Sequence, residues 1–266
     1  MATTRDGLFY ESAGKLHGPP VLLSSGLGGS AGFWRPQLAA LLTRYRVILY
    51  DHRGTGRSVR DLTDSHSVEA MADDIRSVLD AAGAKSAHII GHAAGALAAF
   101  ALTLKAPERV ASIVAVNAWS RLDPHSARCF EARTELLKKS GPRAYVRAQP
   151  IFLYPATWIS ENSTRLDEEE AHYLDSFPSI DVVLERIGAL TRFDIDGQLA
   201  KIAAPVLVSA SADDMLVPVS CSKRLAEGLP NATLDIMEWG GHAMSVTDPE
   251  RFNSMLLSFL GRVAGA

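Results

Sequence analysis

A chain of 266 residues with 47% hydrophobic content is long enough to bury a full core, and its length suits one α/β domain with an insertion. The formal net charge is −3, and acidic and basic residues are mixed without a Lys/Arg-rich tract, which argues against a nucleic-acid partner. No stretch is apolar enough to cross a bilayer, and the first residues lead into no long apolar segment. We therefore expect a cytoplasmic protein that acts on a small molecule, with no nucleic-acid or membrane partner.

Cysteine and histidine content gives no sign of a disulfide framework or a metal site. Cys129 and Cys221 are too few for a framework and match no zinc-binding spacing. The histidines also lack a metal-binding spacing such as H-E-x-x-H. We expect free thiols that are buried or half-buried, no metal and no cofactor, and we keep a homodimer as an expectation for the assembly.

Six short apolar runs predict strands, at residues 21–23, 47–50, 88–90, 113–116, 206–208 and 233–237. Helical segments separate them, and this alternation predicts a parallel sheet covered on both faces. Between residues 119 and 195 the alternation stops, and helices are predicted at 129–139, 142–149, 167–177 and 179–190. The sequence therefore predicts an α/β fold with a mostly parallel, doubly wound sheet from residues 1–118 and 196–266, and an inserted helical cap at residues 119–195.

The most informative segment is Gly91-His92-Ala93-Ala94-Gly95, which we call the elbow frame. It lies between an apolar run and a helical run, and this strand–turn–helix context is typical of a nucleophile elbow, where serine stands in the middle. Ala93 occupies that position, and a methyl group cannot attack a carbonyl. If the chain is an enzyme, either water is the nucleophile or Ala93 replaces a serine. We expect His92 to pack beneath the turn.

Ligands of open parallel sheets bind beyond the carboxyl ends of the strands, so residues that follow the apolar runs are site candidates. In the glycine-rich loop 24–30 and the elbow frame, the amides of Leu27 and Ala94 are predicted to form an oxyanion hole. Asp214 follows the run 206–208 and is the preferred acid, with Asp213 as its alternative. His242 lies in a glycine-rich turn after the last run. A carboxylate at Nδ1 would fix the imidazole tautomer and leave Nε2 to take a proton.

A second enzyme class also fits part of the pattern. Residues 26–31 read G-x-G-x-x-A after a predicted strand, and Asp51 ends the next strand, as in a dinucleotide-binding fingerprint. That interpretation gives no role to the elbow frame or to His242. We expect Asp51 and Arg53 instead to hydrogen-bond the loops that carry the site.

Across essentially its whole length the chain resembles the α/β-hydrolase superfamily, through residues 25–29, the elbow frame, residues 214–218 and Gly241-His242. It is similar in particular to the RutD-type hydrolases of the bacterial Rut uracil-degradation pathway, in segments 24–30, 50–56, 128–130, 148–156, 213–218 and 240–243. The cap segment 148–156 is the most specific of these. The resemblance implies an α/β-hydrolase fold, an alanine that is native at position 93, and hydrolysis of carbamate or aminoacrylate. Both are small compounds that also break down spontaneously.

Labile substrates need only modest acceleration, which a positioned water, a general base and an oxyanion hole supply. In this hypothesis His242 deprotonates water, Asp214 orients His242, and the Ala93 methyl leaves space for the water. Candidates for substrate contact in the cap are Trp119, Tyr154 and Arg121. Two alternatives stay open: a serine esterase or lactonase that carries a serine-to-alanine substitution at 93, and a non-catalytic binding protein on the same fold.

Overall fold

The computed structural model describes residues 2–62 and 66–264. The strands of its one sheet are β1 Ala2–Thr3, β2 Phe9–Gly14, β3 Pro20–Ser24, β4 Arg46–Tyr50, β5 Ala87–His92, β6 Val110–Val116, β7 Val206–Ser211 and β8 Ala232–Met237. Their order is β1-β2-β4-β3-β5-β6-β7-β8. β1–β2 and β2–β4 pair antiparallel, and all other pairs are parallel. The mostly parallel sheet predicted from the sequence is confirmed, and β1 and β2 are additions to it.

Both faces of the sheet are covered by apolar side chains, because residues along each strand point alternately to opposite sides. Leu22 and Ile48 belong to one buried cluster, whereas their neighbours Val21 and Val47 belong to the other. The helices around the sheet are α1 Arg35–Leu42, α2 Val68–Ala81, α3 Ala94–Lys105, α8 Val219–Gly228, α9 Met244–Thr247 and α10 Pro249–Ala264. α3 is apolar on every side, and residues 94–103 are all buried, as expected for a helix inside the core.

Four further helices lie between β6 and β7, within the segment predicted as a cap: α4 Pro124–Leu153, α5 Ala156–Glu161, α6 Ser163–Asp175 and α7 Ile180–Arg192. α4 is interrupted at Gly141, where φ is 78° and ψ is −178°. This interruption matches the gap between the predicted helices 129–139 and 142–149. α5 was not predicted. Within the described part of the chain, no helix has both the length and the apolarity required to cross a membrane.

Candidate active site

The elbow frame is built by close backbone contacts between β3, β5 and α3. Ala93 lies between β5 and α3 with φ 43° and ψ −110°, a backbone conformation that costs about 1–3 kcal/mol for a residue other than glycine. Its N–H donates to the carbonyl of Val116 in β6 at 2.9 Å. A Cβ atom at Gly91 would meet the backbone of α3, and one at Gly95 would meet the carbonyl oxygen of Ser24. The two glycines are therefore required by space, and they allow the chain to turn sharply at Ala93.

His242 and Asp214 form a buried hydrogen-bonded pair. Nδ1 of His242 lies 2.8 Å from Oδ2 of Asp214, and the two side chains are 2% and 0% exposed. The other carboxylate oxygen, Oδ1, accepts from the amides of Leu216 at 2.7 Å and Val217 at 2.9 Å. Because the carboxylate accepts hydrogen bonds, the Nδ1 proton of His242 faces it. The Nε2 lone pair of a neutral His242 is then available to take a proton.

Asp213, the alternative acid, has a different set of partners. Its Oδ1 accepts from the Ser211 hydroxyl at 2.5 Å and from the Gly241 amide at 2.8 Å. Asp213 therefore holds the turn that carries His242 and makes no described hydrogen bond to the imidazole itself. Of the two adjacent carboxylates, Asp214 is the one that contacts the ring.

Asn117 is a site residue that the sequence analysis missed. It follows β6 with φ 48°, and its Nδ2 donates to the carbonyls of His242 at 2.7 Å and Gly241 at 3.2 Å. Its Oδ1 accepts from the amide of Ser211 at 3.0 Å. One side chain thus connects the end of β7 to the His242 turn. Its position directly after a predicted strand was the available signal, and asparagine is one of the few residues that tolerate a positive φ.

His92 packs beside His242 instead of facing Asp214. Its Nε2–H donates to the carbonyl oxygen of His242 at 2.8 Å, and its ring lies 4.6 Å from the rings of both Phe33 and His242. Burial, and then the charge of His242, lower the pKa of His92 to about 3. His92 is therefore a neutral donor that holds the main chain of the candidate base.

The proposed oxyanion donors lie on the loop after β3 and at the start of α3. The Ala94 N–H is the first amide of α3, so it has no carbonyl partner within the helix.

The loop after β3 is held by Asp51, whose Oδ1 accepts from the Ala31 amide at 2.9 Å. Although burial raises the pKa of Asp51, its hydrogen bonds from Arg57 and Ala31 outweigh burial and lower it. Arg53 pairs with Asp74 at 2.9 Å. Since Arg57 and Ala31 occupy both oxygens of Asp51, it does not offer a dinucleotide ribose a free acceptor.

The three predicted substrate contacts lie in different environments. Trp119 is 1% exposed and lies 6.3 Å from the ring of Phe130. Tyr154 stacks on Trp158 at 4.4 Å, and it directly follows Leu153, whose carbonyl accepts from the amide of Ala243 at 2.9 Å. Trp119 and Tyr154 are thus placed against the core and the His242 turn.

Arg121, the third predicted substrate contact, lies in a more exposed place. Its side chain is 53% exposed and pairs with Asp196 at 3.4 Å, because a β-bridge to Asp194 fixes its backbone at the edge of the cap. Two other cap arginines are buried instead, Arg133 at 4% and Arg186 at 3% exposure. Because most arginines are exposed, the sequence alone does not show which arginine of a helix is buried.

Comparison with known proteins agrees with this geometry. The family model described as the alpha/beta hydrolase fold matches residues 19–249. The chain belongs to this family. A Caulobacter protein is 59% identical over 97% of this chain and 97% of its own length, and a Variovorax paradoxus protein is 54% identical over 97% of each. Both are provisionally named as the carbamate hydrolase RutD, so the resemblance to RutD-type hydrolases is confirmed.

The fold is confirmed independently by solved structures. The crystal structure of a hydrolase from Pseudomonas aeruginosa superposes with a TM-score of 0.87 at 26% sequence identity. The match covers 98% of this chain and 97% of that one. The sheet, the elbow frame and the intervening helices therefore belong to one established hydrolase architecture.

Proposed function

We propose that this hydrolase acts on a small labile C–N compound, carbamate or aminoacrylate, by attack of water without a covalent intermediate. The observation that carries the proposal is a carboxylate-braced imidazole, His242 with Asp214 at 2.8 Å, next to an elbow whose middle residue has no nucleophilic atom. The names of the RutD relatives support carbamate chemistry. We assign the reaction to uracil degradation in the bacterial cytoplasm, with no cofactor.

For carbamate, the step converts H₂N–COO⁻ and H₂O to NH₃ and HCO₃⁻. Nε2 of His242 takes a proton from water as the water oxygen bonds to the carboxyl carbon, and the Leu27 and Ala94 amides hold the oxygen that gains charge. The imidazolium then gives its proton to the nitrogen as the C–N bond breaks. Asp214 stabilises the charged ring between the two transfers.

For aminoacrylate, H₂N–CH=CH–COO⁻ and H₂O become OHC–CH₂–COO⁻ and NH₃. The carbon next to the carboxylate first takes a proton from solvent, which gives an iminium carbon at the other end of the double bond. Water adds to that carbon with loss of a proton to His242, and His242 then passes this proton to the nitrogen. Ammonia leaves as the new hydroxyl group becomes the aldehyde and releases its proton to solvent. The two substrates therefore need the same base and the same water position.

The test compares turnover of carbamate and of aminoacrylate, each above its spontaneous rate, by the wild-type chain and by His242→Ala. We expect acceleration by the wild type and loss of that acceleration in the variant. Unchanged turnover after His242→Ala would contradict the mechanism. Ligand binding by the wild type without any acceleration would support the binding-protein alternative.

A further inference from the structure

The interior of the cap contains two buried cations. Arg133 of α4 and Arg186 of α7 are 4% and 3% exposed. Over residues 2–62 and 66–264, no carboxylate lies within ion-pair distance of either guanidinium. Removing a charge from water costs several kcal/mol unless an opposite charge compensates it. Neither guanidinium therefore has a carboxylate in direct contact with it, and a bound anion would fill that place.

The partners of Arg133 are neutral. Its Nη2 donates to the Tyr145 hydroxyl at 3.2 Å and to Oε1 of Gln149 at 2.5 Å. Its Nε is buried and has no partner among the described residues. The rings of Phe130, Tyr145 and Phe152 each lie 5.6 Å from the guanidinium carbon. Aromatic faces attract a cation but do not neutralise its charge.

Arg186 also has only neutral partners, and they belong to the active site. It donates to the carbonyl oxygens of Arg53 and Leu27, each at 2.9 Å, and to Nδ1 of His52 at 3.1 Å. Because His52 accepts at Nδ1, it is neutral, and burial followed by the charge of Arg186 keeps its pKa well below the usual value. The Nε of Arg186 is buried without a described partner. The guanidinium thus lies against Leu27, whose amide is a proposed oxyanion donor.

Two phenols lie near both arginines. The rings of Tyr145 and Tyr173 lie 6.1 Å and 5.7 Å from the ring of Phe177. Burial raises the pKa of Tyr173 to about 12, and the nearby charges of Arg186 and Arg133 act in the opposite direction. The Tyr173 phenol therefore stays a protonated donor near neutral pH, and the Tyr145 hydroxyl accepts from Arg133. We call Arg133, Arg186, Tyr145 and Tyr173 the cap arginine cluster.

We infer that the cap arginine cluster binds the carboxylate of the substrate, so that the substrate is a small organic acid whose C–N carbon points toward Ala93 and His242. A carboxylate is the planar anion that guanidinium donors match best. This inference rests on the proposed function and narrows it. Arg186 holds the carbonyl of Leu27, whereas the amide of Leu27 would face a reacting oxygen. A substrate that contacts both the Arg186 guanidinium and the Leu27 amide must carry its carboxylate on a different carbon from the one that water attacks. Aminoacrylate meets this condition, and carbamate does not.

The test uses propanoate, an unreactive carboxylate, and propanamide, its neutral analogue of the same shape. Binding of each is measured by calorimetric titration to the full chain and to Arg133→Gln, Arg186→Gln and Arg186→Lys, with thermal melting to verify folding. Exposed Arg143 lies on the same helix as Arg133, and Arg143→Gln is the matched control. We expect propanoate to bind the wild type more tightly than propanamide, and to bind the Gln variants about tenfold more weakly, since charge-assisted hydrogen bonds are lost.

Arg143→Gln is expected to bind propanoate like the wild type. If Arg186→Gln does not fold, Arg186→Lys and Arg133→Gln still test the cluster, because lysine keeps the charge but loses the fork of donors. Equal binding of the two probes to the wild type, or full propanoate binding by Arg133→Gln, would overturn the inference.

The same variants separate this inference from the proposed function. His242→Ala is expected to keep propanoate binding while losing turnover. A wild-type chain that binds propanoate but accelerates the breakdown of neither aminoacrylate nor carbamate supports the cluster and refutes the function. A chain that accelerates aminoacrylate breakdown with no preference for propanoate refutes the cluster and supports the function.

Discussion

Replacing Asp214 by asparagine tests whether His242 acts as a base held in one tautomer. The carboxylate accepts three hydrogen bonds, from His242 Nδ1 at 2.8 Å and from the amides of Leu216 at 2.7 Å and Val217 at 2.9 Å. Asparagine has the same shape, and its single side-chain oxygen can keep the hydrogen bonds from the amides of Leu216 and Val217. Its NH₂ group then faces Nδ1. A donor in that position favours the tautomer with the proton on Nε2, so the nitrogen that must take a proton from water no longer has a lone pair.

The expected loss is the contribution of general-base catalysis, roughly 10²–10⁴-fold in turnover. At about 1.4 kcal/mol per factor of ten, this corresponds to about 3–5 kcal/mol of activation free energy. The fold should be affected less, because two of the three hydrogen bonds are kept and one charge-assisted bond contributes about 1.5–3 kcal/mol. The loss of turnover should therefore be larger than the loss of folding stability, measured by the melting temperature, can account for.

Asp213→Asn is the matched control, since it makes the same chemical change at the adjacent residue. Asp213 uses one oxygen for Ser211 and Gly241, and asparagine can keep that oxygen in place. Ammonia release from aminoacrylate and proton uptake during carbamate breakdown are measured for both variants above the spontaneous rates. Equal activity losses in the two variants, or wild-type activity in Asp214→Asn, would refute the tautomer argument.

Three further predictions follow from other parts of the site. Ala93→Ser should release a burst of p-nitrophenol from p-nitrophenyl acetate, because φ 43° and ψ −110° already give residue 93 the elbow conformation. The double variant Ala93→Ser/His242→Ala should give no burst. A flat trace for Ala93→Ser would argue against a serine ancestor of this site. The pKa of His92 is about 3 when folded and about 6.5 when unfolded, so the unfolded chain binds more protons and stability falls as the pH drops below about 6.5. Between pH 7.5 and pH 5, urea titrations should show a drop in the free energy of unfolding that is about 2 kcal/mol smaller for His92→Gln than for the wild type, because glutamine keeps a donor but does not titrate. An identical drop in both proteins would exclude His92 as its source. Asn117→Ala should lower the free energy of unfolding by about 2–4 kcal/mol and reduce turnover, since two carbonyls and one amide lose their partner; Asn117→Ala that melts like the wild type would show that these bonds are replaced by others.

Sequence periodicity was sufficient for six of the eight strands and insufficient for the two at one edge of the sheet, β1 and β2. All six predicted strands are present. β3 to β7 are short runs whose residues are almost all buried, whereas β8, with only Met237 buried, is an edge strand that its sequence still predicted. β2 is half exposed and lies near the edge of the sheet, and its residues Phe9–Gly14 do not form an apolar run. α5 is six residues long, which is too short to establish a helical period. Strands such as β2 and short helices such as α5 depend on tertiary contacts that a local pattern does not encode.

For the site, strand-end positions with unusual residue types were recognisable, and buried supporting residues were not. Asp214 and His242 stand out because a carboxylate and an imidazole follow apolar strands in the chain order of a known catalytic arrangement. Arg121 and Arg186 are the same residue type in the same cap, yet one is half exposed and the other buried. Which of them turns inward is decided by the packing of α7 on the loops at residues 27 and 52–53, through partners more than 130 residues away along the chain.

The helices between β6 and β7 contact each of the three loops to which we assign catalytic roles. At the start of α4, the Ser126 hydroxyl donates to the carbonyl of Leu216, two residues after the acid, at 2.8 Å. At the end of α4, the carbonyl of Leu153 accepts from the amide of Ala243, next to the base. On α7, Arg186 holds the carbonyl of Leu27. His242 is 2% exposed, so these contacts enclose it almost completely. Three contacts from two helices, α4 and α7, therefore fix the loops of Asp214, His242 and Leu27 relative to one another.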